Sequence, residues 1–579
     1  MTAPHGPRTG RPPTRVDRGA VTSSHTLASQ AGLHALRRGG SAVDAAIAVN
    51  AMLCVAYPHM AGLGGDGFWL IAEPGGTVRG LNASGPSASA ATRDYYRERG
   101  HTDEVPARGG LAALTVPGVV DGWRLAHERY GRLSWSDLFA DAIHYARHGV
   151  PVSRSLSDWL VEDLGLLSAE ESMARIFVPD GRAAREGDRL AQPDLARSLA
   201  AVAANGARGG FYEGDLAQRI CGSLAPTGSP LRVEDFVAYQ AHWEDPISTD
   251  YRGHTIYELP PNTQGFAALQ ILNLISGYDV ASWGDGTPDY YHHLAEAVKL
   301  AFADRDEWLT DKHWVDIPIA DLLDREYAAR RRELIRADRA MVMADVEAGI
   351  RFGPQTRRRP PQGDTCAFSA VDDNGLVVSA IQSIYHDFGS AIIAGDTGII
   401  PQNRGSFFSL DDNHPNRMEP GKRTFHTLIP GLACQDGRPW LAFGSMGGEG
   451  QPQTHAALLT RMIDFGYDVQ QAIEAPRWLM GRTWGTTAQD LSLEGRIGDE
   501  VIRELQRRGQ PVRMLPNWDD NMGHAHAIRI DHERGLLEAG ADPRGDGAAL
   551  GYRNAGQCSG LQAGGEGPRW EGRQARAVP

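Results

Sequence analysis

Gly363-Asp364-Thr365-Cys366-Ala367-Phe368-Ser369-Ala370-Val371-Asp372, then Asn374-Gly375 and Leu376-Val377-Val378-Ser379-Ala380-Ile381-Gln382-Ser383, is the stretch on which the reading of this chain turns. It predicts a strand, a two-residue turn and a second strand. A threonine opens the first strand. A Thr hydroxyl is a weak nucleophile unless a base stands beside it, and one such base is the threonine's own α-amine. That amine exists only if the chain is cut between Asp364 and Thr365. Taken alone, the stretch is equally an ordinary β-hairpin with a β-branched first residue.

The residues around it set the context. The segment 340–363 is polar and ends in Arg357-Arg358-Arg359-Pro360-Pro361-Gln362-Gly363, an exposed linker with room for a processing event. Upstream, 26–58 reads as helix, with Ser41 able to cap its second part. Helical patterns recur over 115–150, 186–206 and 286–312. Downstream, two apolar hairpins are expected, then a strand pair over Pro430 to Ser445 and a helix near 452–465. Strands clustered after 365, with helices on either side, indicate a layered α/β (α+β) protein.

Composition narrows the function classes. The chain has 579 residues, 41% hydrophobic and 22% charged, which is ample for a large core. No run of about 18 apolar residues predicts a membrane span. The first 18 residues are rich in Pro, Arg, Thr and Gly and lack an apolar signal core, so a disordered leader is expected there. A disordered tail is expected over 553–579. Five Cys without a CxxC pair do not form a disulfide framework, and a cytoplasmic location is the expectation. The net charge of −14 argues against nucleic acid as a partner. Gly62-Leu63-Gly64-Gly65-Asp66-Gly67 fits GxGxxG but follows a helix and precedes a strand, the reverse of a dinucleotide site. No metal-ligand spacing is found, and His292-His293 point to different helix faces. No cofactor and no metal are expected.

A series of short motifs then runs in order along the chain. It includes Gly39-Gly40-Ser41-Ala42-Val43-Asp44, Gly64-Gly65-Asp66-Gly67-Phe68, Val116-Pro117-Gly118, Ala303-Asp304-Arg305, Gly444-Ser445-Met446-Gly447-Gly448, Ala475-Pro476-Arg477 and Asp542-Pro543-Arg544. With the Thr365 stretch among them, the chain resembles the γ-glutamyltranspeptidase family of N-terminal-nucleophile hydrolases, from about Gly19 to Tyr552. The resemblance implies a four-layer αββα sandwich. It implies self-cleavage between Asp364 and Thr365, giving 19–364 and 365–552 as two associated parts of one catalytic domain. It makes Thr365 the nucleophile, Ser383 a hydroxyl hydrogen-bonded to it, and the N–H groups of Gly447 and Gly448 the oxyanion hole. Cys366 is the local rival, but using it would shift the motif by one residue and turn the strand over.

The substrate pocket departs from the family pattern. Asn82 stands where the family has an Arg for an α-carboxylate. Phe407 stands where it has an acid for an α-amine, Tyr385 replaces an Asn, and His426-Thr427 replace paired serines. Arg404 and His426 are therefore the expected anion ligands, with Asn82, Tyr385 and Thr427 beside them. Gln382-Ser383-Ile384-Tyr385-His386-Asp387-Phe388-Gly389-Ser390 and Leu479-Met480-Gly481-Arg482-Thr483-Trp484-Gly485 resemble an oxamate amidohydrolase branch. The expected substrate is a small carboxylate-bearing amide. The alternatives are a γ-glutamyl hydrolase or transferase and, in another class, an uncut binding protein without catalysis. Pairing of processed protomers into a homodimer is left open.

Overall fold

The computed structural model describes residues 10–353, 364–481 and 489–553. Two seven-stranded sheets form its centre. The first runs, edge to edge, Ala548–Tyr552, Gly19–Ser23, Asp364–Val371, Val377–Tyr385, Asp66–Ala72, Val78–Ala83 and His242–Glu244. The second runs Thr14–Val16, Leu536–Ala541, Ala525–Asp531, Arg438–Ser445, Gly431–Gln435, His254–Glu258 and Ile247–Tyr251. Each sheet contains strands from both sides of the Asp364–Thr365 bond.

Side-chain alternation shows how the sheets stack. Phe68, Leu70, Ala367, Val377 and Ile381 of the first sheet form one core with Leu432, Ala442, Ile528 and Ala539 of the second. The opposite faces carry helices. Cys366, Phe368 and Ala380 pack on the helices Thr26–Arg37 and Ala42–Ala56. Ala433, Leu441 and Ala527 pack on Gly265–Ile275, Pro288–Trp308 and Gln451–Ile463. Helix, sheet, sheet and helix make the four layers of an αββα sandwich.

Ser41 caps its helix as expected: its hydroxyl accepts from the Asp44 N–H, and Asp44 accepts from the Ser41 N–H. That helix is buried along its whole length, which is why its sequence is apolar on every face. Four expectations are corrected. Thr14–Val16, placed in a disordered leader, is an edge strand paired with Leu537–Ala539. One hairpin follows Asp364, not two, since among the described residues 386–430 contains no strand. The hairpin turn is a three-residue loop, not two: Asp372 N–H donates to Leu376, and Gly375 takes φ +80°. Helix over 115–150 is split into Val119–Tyr130 and Ala140–His148. The linker beyond 353, the Arg482–Gly485 part of the branch motif and the tail beyond 553 lie outside the described residues.

Candidate active site

Thr365 lies at one end of the layer between the sheets. It shares a face with Ala367, whose side chain is in the inter-sheet core, whereas Cys366 faces the helices. Cys366 is thus on the wrong side of the sheet to share this site. Asp364 pairs with Tyr385 and Cys366 with Gln382, so the partner strand carries an extra residue opposite Thr365. Such a bulge re-aims side chains next to it. Ser383 stands across from Thr365, and Asp66 pairs with Ser383 on the next strand. Three polar residues from three neighbouring strands therefore line one rung.

Thr365 is fully buried and its Oγ1 has no hydrogen-bond partner among the described residues. The expected Ser383–Thr365 hydroxyl contact is not formed in this uncut chain. Ser383 Oγ instead accepts from Tyr385 N–H (2.7 Å) and from Arg404 Nη2 (3.2 Å). Both lone pairs of the Ser383 oxygen are thereby engaged. Ser383 ties the guanidinium to the rung of Thr365.

Arg404 is the unusual group. It is 1% exposed and no carboxylate pairs with it among the described residues. Nη1 donates to Thr427 Oγ1 at 3.1 Å, and Nε has no partner. Tyr385 lies under the guanidinium at 4.2 Å and Phe407 at 5.4 Å. Burial lowers its pKa to about 10, against the opposing fields of Tyr385 and Asp66, so it remains a cation at neutral pH. This buried cation is held by a ring face and two hydroxyls, with Asp66 near but unpaired to it among the described residues, and a carboxylate matches its open fork. Tyr385 and Thr427, both expected beside Arg404, contact its guanidinium.

His426 and Asn82 do not behave as expected. His426 Nε2 contacts Asp66 Oδ2 at 2.9 Å, and Nδ1 is buried without a partner. Burial, with Arg404 and Arg423 nearby, holds its pKa well below the ordinary value, so the ring is neutral. Asn82 is spent inside the protein. Its amide donates to Asn262 (3.0 Å) and Glu244 (3.3 Å), and its oxygen accepts from the Ser84 N–H and hydroxyl. With all its polar atoms engaged, Asn82 braces the wall and is not a substrate ligand.

The Gly447–Gly448 turn, the expected oxyanion hole, follows the strand Arg438–Ser445. Gly447 and Gly448 take φ of +121° and +53°, conformations that glycine tolerates. Among the described residues neither N–H is used by another group. Gln264, not singled out in the sequence, fixes this turn: its Nε2 donates to Gly448 O (3.0 Å) and Thr427 O (2.7 Å). Arg305 holds Gln264 Oε1 at 3.0 Å and Glu449 at 2.8 Å. Gly447→Ala should force the turn out of its φ and lower kcat by about 10²–10³-fold, the usual loss for one oxyanion donor. Steady-state kinetics on the processed enzyme checks this.

Asp66 was quoted in a motif but given no role. It is fully buried, accepts from the Gly85 and Gly118 N–H groups, and has its pKa pushed up to about 7 by burial. The glycines before it allow close packing: a Cβ on Gly64 would meet Ile400 O at 2.1 Å, and one on Gly65 would meet Ser383 O at 2.4 Å. The GxGxxG match is thus a packing feature of this site.

The sequence suggested no metal-ligand group, yet the fold brings His242, Glu244 and His313 within 4.8 Å of one another. The Lys312 ammonium lies 3.3 Å from Glu244, competing with any cation there. The signal was invisible because His313 comes from a distant loop.

The sequence pattern described as Gamma-glutamyltranspeptidase matches residues 28–552. The chain is 47% identical over 532 residues to the "Glutathione hydrolase-like YwrD proenzyme" of Bacillus subtilis (strain 168), covering 92% of this chain and 98% of that one. It is 42% identical over 540 residues to the "Oxamate amidohydrolase proenzyme" of Klebsiella pneumoniae subsp. pneumoniae, again covering 92% and 98%. Among solved structures it is similar to the cephalosporin acylase from Bacillus halodurans, with a TM-score of 0.87 and 34% identity over 96% of this chain and 100% of that one.

Proposed function

The chain belongs to the γ-glutamyltranspeptidase family, and from that premise we propose that it cuts itself before Thr365 and then hydrolyses a small carboxylate-bearing amide of the oxamate type. It is a hydrolase of amide bonds. In the proposed cycle Thr365 Oγ attacks the substrate carbonyl and its freed α-amine takes the proton. The N–H groups of Gly447 and Gly448 receive the developing oxyanion. The departing nitrogen takes the proton, and water then opens the acyl-Thr365 ester. Arg404, helped by Thr427, anchors the carboxylate.

The observation that carries this reading is the buried Arg404 guanidinium, which pairs with no carboxylate among the described residues and is joined through Ser383 to the rung of Thr365. The same region argues against the γ-glutamyl reading. An α-ammonium would meet Phe407 and Phe425, and Asp66 is already engaged by two N–H groups and His426. Ammonia release from oxamate by the processed protein, faster than release of aniline from a γ-glutamyl anilide, is the expected result. The reverse order would favour the γ-glutamyl reading.

A pH dependence follows from Asp66. Below about 7 its carboxyl holds a proton and donates to His426 Nε2, which leaves the ring proton on Nδ1 as a donor. Above about 7 the carboxylate accepts from Nε2–H, and Nδ1 becomes a bare acceptor. A carboxylated substrate held by Arg404 would therefore gain His426 Nδ1–H as a further donor on the acid side only. KM should rise as pH increases through about 7, and Asp66→Asn should remove that inflection; KM measured from pH 6 to 8 tests both.

A further inference from the structure

The strand His242–Glu244 is an outer edge of the first sheet, and His242 and Glu244, two residues apart, share one of its faces. His242 Nε2 lies 2.8 Å from Glu244 Oε1. The loop after the helix Pro288–Trp308 brings His313 to the same place, and one ligand atom from each of the three residues stands within 4.8 Å of the others. His313 arrives there on a fixed backbone. Its N–H donates to Asp311 Oδ1 (3.0 Å), and Asp311 Oδ2 accepts from the Arg423 N–H (2.9 Å). The Glu244 side chain is 4% exposed, yet its Oε2 has no hydrogen-bond partner among the described residues. Its other oxygen accepts from Asn82 Nδ2 at 3.3 Å, so the carboxylate is steadied from the neighbouring strand. A buried carboxylate with an unused oxygen thus stands beside two imidazoles.

We propose that His242, Glu244 and His313 bind a zinc-type divalent ion, which clamps the edge strand to the 309–318 loop. Two imidazole nitrogens and one carboxylate oxygen suit Zn²⁺ or Co²⁺, whereas Mg²⁺ and Ca²⁺ prefer oxygen alone. Zn–N and Zn–O bonds of about 2.0–2.2 Å put ligand atoms roughly 3.3 Å apart in a tetrahedron, so small side-chain movements close the site. His242 and His313 reach solvent, which gives the ion an entry path and leaves a fourth position for water. Asn82 orients the ligating carboxylate from behind, as outer-shell partners of metal ligands do. Lys312 is the internal competitor. Its ammonium lies 3.3 Å from Glu244 Oε1, but its side chain is 32% exposed and turns outward when a divalent charge takes the carboxylate. The inference stands apart from the proposed activity, since it assigns the ion no part in the attack by Thr365.

The test uses the purified full chain, stripped with EDTA and exchanged into chelator-free buffer. ZnCl₂ is titrated in a calorimeter and CoCl₂ in a spectrophotometer. One equivalent of Zn²⁺ should bind per chain and raise the melting temperature. Co²⁺ should give the visible bands of a four-coordinate ion without the charge-transfer band that a thiolate ligand adds. His313→Ala should weaken Zn²⁺ binding by about 100-fold or more, beyond the ~10–100-fold typical of losing an outer-shell partner. The His313 side chain is exposed, so this variant should melt like the wild type in the absence of zinc. Glu244→Gln, close in shape, should weaken binding comparably. Lys312→Met should tighten it by about tenfold, the effect of removing one like charge at close range. No binding by either titration in the wild type would overturn the proposal, even if Lys312→Met binds, because the lysine would then hold the site permanently. Affinity unchanged in His313→Ala or in Glu244→Gln would also overturn it, since the ion would then sit elsewhere.

Discussion

Thr365→Ala is expected to leave the chain in one piece and to reduce turnover to background, a loss on the order of 10⁶ in kcat if it matches other covalent nucleophiles. The two effects share a cause. In the proposed cycle Thr365 Oγ is the attacking atom for the bond to Asp364 and later for the substrate, and the second role needs the amine that the first releases. The side chain is buried between the sheets with its oxygen unpartnered, so removing that oxygen strands no donor. Folding should survive. A single band on a denaturing gel, with a cooperative melt near that of the wild type, is the expected pair of results. Cys366→Ala should cut itself normally, since that thiol faces the helices.

Arg404→Leu should separate processing from turnover. Self-cleavage acts on the chain's own backbone and needs no anchored anion, so two fragments should still form. Turnover of anionic amides should lose on the order of 2–5 kcal/mol of binding, which is about 30-fold or more in kcat/KM, chiefly through KM. Stability should not fall in step. A buried cation with no directly paired carboxylate among the described residues is costly, and a Leu between Tyr385 and Phe407 removes that cost. A melt at or above the wild-type temperature together with impaired turnover would show a charge kept for binding. Unchanged kinetics would remove Arg404 from the site.

The sequence made the backbone of this site legible because its signals are local. Alternating apolar residues marked the Thr365 strand, and Ser41 marked a helix start. What escaped was set by contacts across the sheets. Asp66 reaches His426 over a separation of 360 residues, and nothing in either segment announces the other. Asn82 looked like a pocket residue by position, but Asn262, Glu244 and Ser84 use up its polar atoms. Gln264 was not singled out in the sequence, yet it joins the Gly447–Gly448 turn to Thr427.

The ordered motifs divide in the same way. Ala303-Asp304-Arg305 supplies the Arg305 brace on Glu449. Ala475-Pro476-Arg477 and Asp542-Pro543-Arg544 meet in one buried ion cluster: Arg477 pairs with Asp542 at 2.8 Å, and Arg477 Nη1 donates to Gly523 O at 2.6 Å. The next residue, His524, receives the Met446 N–H and so supports the turn that leads into Gly447. These motifs hold the Gly447–Gly448 turn in place.

The account rests on a free Thr365. N-terminal sequencing of the smaller fragment from purified wild-type protein tests it most directly. Thr365 as the first residue is the predicted result. A chain that stays whole under all conditions, or a fragment that begins at Cys366, would contradict it.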